Sequence, residues 1–154
     1  MAQVARVLEN REEKADRNAR SFLTFLLGSE QYGVEILKVQ EIIGLLPITR
    51  VPNARSHIKG LVNLRGKILM VIDLRLRFGM EDVEHTEESC IIFVRVHQIE
   101  MGLIVDKVSD VLDIPEDDID KDQTFSTDCL LGIGKVDGKA RLLLDLDKVC
   151  EVGA

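Results

Sequence analysis

Tryptophan is absent from this chain of 154 residues, tyrosine occurs once and phenylalanine five times. Little is therefore available to stack nucleobases or to grip proline-rich peptides. Positive charge is short as well: 20 Lys and Arg stand against 27 Asp and Glu, a net charge of −7. Nucleic acid is a poor fit for such a chain, because phosphate binding needs clustered basic groups that release counterions. Cys90, Cys129 and Cys150 are far apart, odd in number and outside any CxxC spacing. They support neither a disulfide framework nor a zinc site and read as buried reduced thiols. No apolar run approaches the roughly 18 residues of a membrane helix, and the N-terminus mixes charges where a signal peptide would be basic and then apolar. The expectation is a cytoplasmic protein without direct membrane insertion. His57, His85 and His97 are scattered, and no GxSxG, HExxH, Walker A or GxGxxG pattern lies near them. No catalytic residue, cofactor or metal is predicted.

What the chain does contain is ordinary for a globular protein, with 45% hydrophobic and 31% charged residues. Its length suits one compact unit that buries roughly two-thirds of its unfolded surface, or two very small domains that lean on each other. Residues 1–20 crowd Arg11, Glu12, Glu13, Lys14, Asp16 and Arg17 among few apolar positions. They read as a disordered or frayed tail, and residues 21–150 read as the folded part.

The most organised stretch is 58–75, IKGLVNLRGKILMVIDLR. Leu61, Val62 and Leu64 lead into Arg65-Gly66, and the unbroken apolar run Ile68 to Ile72 leads out, which predicts a hairpin whose second strand is covered on both faces. Gly66 supplies the positive φ of a tight turn. Asp73 is placed to cap a helical turn from Leu74 to Phe78 that Gly79 can end. Upstream, Phe22–Leu27 and the alternation Tyr32, Val34, Ile36 predict two strands. Ile36, Val39, Ile42 and Ile43 fit a helical stripe, although Val39 to Ile43 could equally begin a strand after one helical turn; a short helix followed by a strand is the preferred reading. Ile48–Val51 is read as a short strand between two prolines, and the acidic stretches 81–88 and 113–122 as loops.

The second half of the chain repeats the first. Gly102 falls on Gly33, Val105 on Ile36, Val108 on Val39 and Asp110 on Glu41, an offset of 69 residues (102 − 33). Further on, Gly132 meets Gly60, Gly138 meets Gly66 and Asp145 meets Asp73, an offset of 72 (138 − 66). Short strands separated by Gly, Pro and acidic turns point to an all-β protein of two small barrels, each with a marginal core of its own. Subdomains at about 21–80 and 90–150 are expected, with strand exchange between them left open, and the groove along their seam is a natural docking place.

At the hairpin tip the second copy has Asp137-Gly138 where the first has Arg65-Gly66. The turn does not require arginine. An exposed arginine is most often merely solvated, but a guanidinium on a rigid hairpin holds its donors at low entropic cost and suits an acidic partner. Val39, within the stripe Ile36, Val39, Ile42, is as readily core as contact surface.

YGVEILKVQEII (32–43), IKGLVNLRGKILMVIDLRLRFG (58–79) and MGLIVDKVSDVL (101–112) together resemble the CheW-like domains of chemotaxis coupling proteins, over about residues 22–149. Such domains also occur in the histidine kinase CheA and in CheV-type adaptors. The resemblance implies two SH3-like five-stranded barrels on a shared core with short helical turns. It implies a non-catalytic adaptor that is monomeric in isolation and couples methyl-accepting chemoreceptors to CheA. The chain would be cytoplasmic and recruited to membrane receptor arrays through its partners. Carried onto this chain, the receptor-contact region is Arg65 with Gly60 and Asn63 of the IKG and NLRG segments, and the kinase-contact segment is Val39 and Glu41. The two sets are expected on separate faces, so that the receptor tip and the CheA regulatory domain are held at once. The rival reading is a sensor that binds a small molecule between the barrels.

Overall fold

The computed structural model describes residues 19–121 and 129–151. The strands are β1 Ala19–Leu27, β2 Glu30–Glu35, β3 Val39–Gly44, β4 Ile58–Leu64, β5 Lys67–Asp73, β6 Cys90–Val96, β7 Ile99–Val105, β8 Lys107–Pro115, β9 Ile119–Asp120, β10 Leu130–Val136 and β11 Lys139–Leu144. Two single-turn helices, α1 Leu74–Arg77 and α2 Leu146–Val149, each follow a capping aspartate. Asp73 accepts the Arg75 N–H at 3.0 Å, and Asp145 accepts the Asp147 N–H at 3.1 Å. These caps give each acidic residue of the repeated Asp-Leu pair a local structural task. Among the described residues no helix is long and apolar enough to cross a membrane.

The strands form two SH3-like sheets, one of six strands in the order β8-β1-β2-β11-β10-β9 and one of five in the order β3-β6-β7-β5-β4. Neither sheet is built from one half of the repeat. The first hairpin of each half, β1–β2 or β6–β7, is seated in the sheet of the other half. Sheet membership therefore does not follow the spans 21–80 and 90–150: it is a reciprocal exchange of hairpins. Each exchanged hairpin docks through a parallel pair, β2 on β11 and β7 on β5. The repeated glycines sit at these two joins, Gly33 opposite Leu143 and Gly102 opposite Val71. A Cβ on Gly102 would lie 2.6 Å from the Ile91 side chain of β6 and 3.4 Å from Val71 of β5, so it is the packing of β6 over β7 that leaves no room for one.

The exchange explains why several strands are apolar on both faces. In β6, Ile91 and Phe93 fill the core of the five-stranded sheet with Val62, Leu69 and Val71. Ile92 and Val94 face a larger core shared by both sheets, which also holds Leu23, Phe25, Leu103 and Leu144. A smaller cluster of Phe22, Ile114, Ile119 and Leu143 fills the six-stranded sheet. Arg75 fastens one end of the shared seam: its Nε donates to Asp106 Oδ1 at 2.8 Å, and the Gly28 N–H donates to Asp106 Oδ2 at 2.7 Å.

Ile36–Lys38 is a 3-10 turn before β3, as the preferred reading had it. Local readings need correction at four places. Ile48–Val51 is no strand: only Thr49 bridges, to Leu61, because the flanking prolines cannot extend a ladder. The acidic stretch from Asp113 is not a loop, since β8 runs to Pro115 and β9 follows a 3-10 turn, with Ile114 and Ile119 buried. β1 begins at Ala19, inside the segment read as a tail, and the remainder of that tail lies outside the described residues. The run from Ile68 is covered on both faces only from Leu69 onward, because Ile68 is 60% exposed.

Candidate functional site

Leu64 pairs with Lys67, so β4 and β5 are joined by Arg65 and Gly66 alone. Both residues have positive φ, 52° and 88°, the two-residue turn whose twist matches that of the strands it joins. The Gly66 N–H donates to Asn63 Oδ1 at 2.8 Å and fixes the turn from its base. Asp137-Gly138 adopts the same geometry, at 53° and 72°, with aspartate in place of arginine. Arginine is thus dispensable to the turn, and its side chain is free for another purpose.

The Arg65 side chain is 70% exposed and closes a two-pronged ion pair with Glu41 of β3. Nη1 donates to Oε1 at 2.7 Å, and Nη2 donates to the other carboxylate oxygen. A β-bulge between Val39 and Glu41 sets this up, adding a residue to β3 against β6. Bulges re-aim side chains, and here Val39 goes to the shared core while Glu41 reaches the surface. The Arg65 hydrogen bond holds the Glu41 carboxyl below the usual carboxylate range, and the same bond raises the Arg65 pKa. β3 and β4 are the two edges of the five-stranded sheet. The pair spans them and shows how far the sheet has curled.

Residues expected on separate faces therefore adjoin: Arg65 and Glu41 are partners. Val39, also expected at the kinase contact, is 1% exposed and offers no side-chain surface. Gly60 is buried in β4 at φ 149°, where a Cβ would lie 2.2 Å from the Thr49 carbonyl oxygen. It keeps β4 against the 48–49 segment and makes no surface of its own.

Beside the tip lies a groove of about 530 Å³ lined by Pro47, Thr49, Leu61, Val62, Asn63 and Ile68. Ile68 is itself 60% exposed. Met70 pairs with Met101 across the parallel join, which puts Ile68 alongside Ile99, and Ile99 in turn pairs with Val96. Ile99 is 59% exposed, and Leu37, on the 3-10 turn that leads into β3, is 83% exposed. These exposed residues were missed from the sequence, where a surface isoleucine in an apolar run looks the same as a core one. A hydrophobic core shared by both sheets lies between them.

The histidines are not brought together into a catalytic arrangement. His97 is at an exposed turn, 3.3 Å from Asp147, and His57 lies at the entrance to β4. Among the described residues no group of three or more His, Cys, Asp or Glu could hold a metal.

Comparison with known proteins bears on the family and the fold. The family model for the CheW-like domain matches residues 21–152. The chemotaxis protein CheW of Klebsiella aerogenes is 40% identical over 134 residues, 84% of this chain and 81% of that protein. The chemotaxis protein CheW of Rhizobium meliloti is 32% identical over 146 residues, 92% of this chain and 94% of that protein. Among solved structures, the scaffolding protein TtCheW from Thermoanaerobacter tengcongensis superposes with a TM-score of 0.82 at 36% identity, covering 88% of this chain and 94% of that one. With the family model spanning nearly all the described residues and two such relatives matched along most of their lengths, the chain belongs to the CheW-like domain family.

Proposed function

We propose that this protein is a non-catalytic adaptor that couples the cytoplasmic tip of methyl-accepting chemoreceptors to the regulatory domain of CheA. On this reading it works in the cytoplasm and reaches membrane receptor arrays through those partners. The observation that carries the proposal is a basic tip on a hairpin with an uncovered apolar side chain: Arg65 at the turn and the exposed Ile68 on the strand that leaves it, which the parallel register puts alongside the exposed Ile99. A helical receptor tip can lay an apolar face on such a surface and offer an acidic side chain to Arg65. Gly60 and Asn63 hold the hairpin in position. Glu41, set on the surface by the bulge over Val39, is offered to a basic group of the kinase.

The ion pair links the two contacts. A receptor carboxylate that draws Arg65 away leaves Glu41 open to the kinase, so engagement of one partner changes affinity for the other, and by reciprocity the change is equal in both directions. The experiment is a pair of titrations, of the protein and of Arg65→Ala, against a chemoreceptor tip fragment and a CheA regulatory domain. Arg65→Ala should weaken receptor binding about thirtyfold, as for a hot spot of about 2 kcal/mol, and should still bind the kinase domain. Failure of the folded protein to bind either partner would overturn the adaptor reading. A receptor fragment that leaves kinase affinity unchanged would remove the coupling and leave a simple bridge.

A further inference from the structure

His57, at the entrance to β4, is unused by the adaptor reading. Its carbonyl accepts the Asp73 N–H at 2.9 Å, which holds it beneath the start of α1. At the same place in the second half, the Cys129 carbonyl accepts the Asp145 N–H at 2.7 Å. The first half thus carries an imidazole where the second carries a thiol.

The His57 Nε2 is closed off from solvent and has no hydrogen-bond partner among the described residues. Burial disfavours the imidazolium, and the positive charges of Arg77 on α1 and Arg55 on its own segment disfavour it further. Asp73, whose N–H bonds the His57 carbonyl, caps α1 and lies 3.8 Å from Lys59 Nζ. Arg77 spans the joint between the halves: its Nε donates to the Val149 carbonyl at 3.3 Å and its Nη2 to the Lys148 carbonyl at 3.1 Å.

We propose that His57 is an acid-sensitive element in the joint between the two halves. Neutral, it packs beneath α1. Protonated, it places a third positive charge beside Arg55 and Arg77 with no acceptor at Nε2, and loosens the contact by which Arg77 holds the end of α2.

The sign follows from linkage. The ordinary pKa is 6.5 and the folded value lies below it. The unfolded chain therefore takes up the proton first, and stability falls as pH drops through that range. With urea as denaturant, the unfolding constant of the unmodified protein should rise more between about pH 7.5 and 5.5 than that of His57→Gln. Parallel pH dependences would overturn the proposal. A second measurement needs no variant at that position: the His57 ring followed by NMR in the native protein should titrate below 6.5. Replacing the exposed Arg55 by glutamine should move that midpoint upward. A native midpoint at or above the ordinary value overturns the proposal, as does one unmoved by Arg55→Gln. No receptor or kinase takes part, so the result stands apart from the adaptor reading.

Discussion

Arg65 occupies a turn position that tolerates aspartate in the second half, so its contribution lies in what the guanidinium reaches. Its pair with Glu41 joins side chains 70% and 26% exposed, and such pairs contribute little to stability. Arg65→Ala should leave the urea unfolding midpoint close to that of the unmodified protein, which makes it a clean probe of binding. The two glycines nearby separate geometry from space. Gly60→Ala drives a Cβ to 2.2 Å from the Thr49 oxygen and breaks the Thr49–Leu61 bridge. A loss of more than about 2 kcal/mol is expected. Gly66→Ala meets nothing within 4 Å and is penalised only by its φ of 88°, a loss of about 1 kcal/mol. Equal losses would mean that the contact with Thr49 does not hold β4 in place.

At the scale of elements, much was legible and the exceptions have physical causes. The hairpin from Ile58 to Asp73, the cap at Asp73 and the repeat all follow from local chemistry, because a tight turn demands particular φ values and a cap demands a short acceptor. Partner choice does not. An apolar run states that a strand is covered and is silent on which strand covers it, so the hairpin exchange was left open. The bulge in β3 was equally hidden: Val39 and Glu41 looked like neighbours on one contact segment, and the added residue turns one inward and the other outward. Charge misled at 113–122, where Ile114 and Ile119 are buried between acidic neighbours. The fastening of elements can be tested at Asp106, whose carboxyl is held low mainly by the Arg75 hydrogen bond. Asp106→Asn should lose about 2 kcal/mol near neutral pH. Because the folded pKa lies below the ordinary 3.8, the difference should persist through mild acid and fade only as pH falls through the folded value. A difference that vanishes near pH 5 would mean the Arg75 pair is not its source.

Across the whole molecule, the reciprocal exchange of hairpins governs the order in which the chain can be completed during its synthesis. Many proteins settle their N-terminal part while the remainder is still being made. Here the five-stranded sheet cannot close until Val105, the end of β7, has been added, and the six-stranded sheet waits for Leu144, the end of β11. A ribosome-bound chain released from the tunnel only through Gly79 should remain as protease-sensitive as an unfolded one, and one released through Val105 should protect β3 to β7. Protection of the shorter chain would show that the first half folds alone. The hairpin β1–β2 precedes its sheet neighbours by a long stretch of chain, and the apolar side chains of Phe22, Leu23 and Phe25 must stay soluble until β8 and β11 have been added.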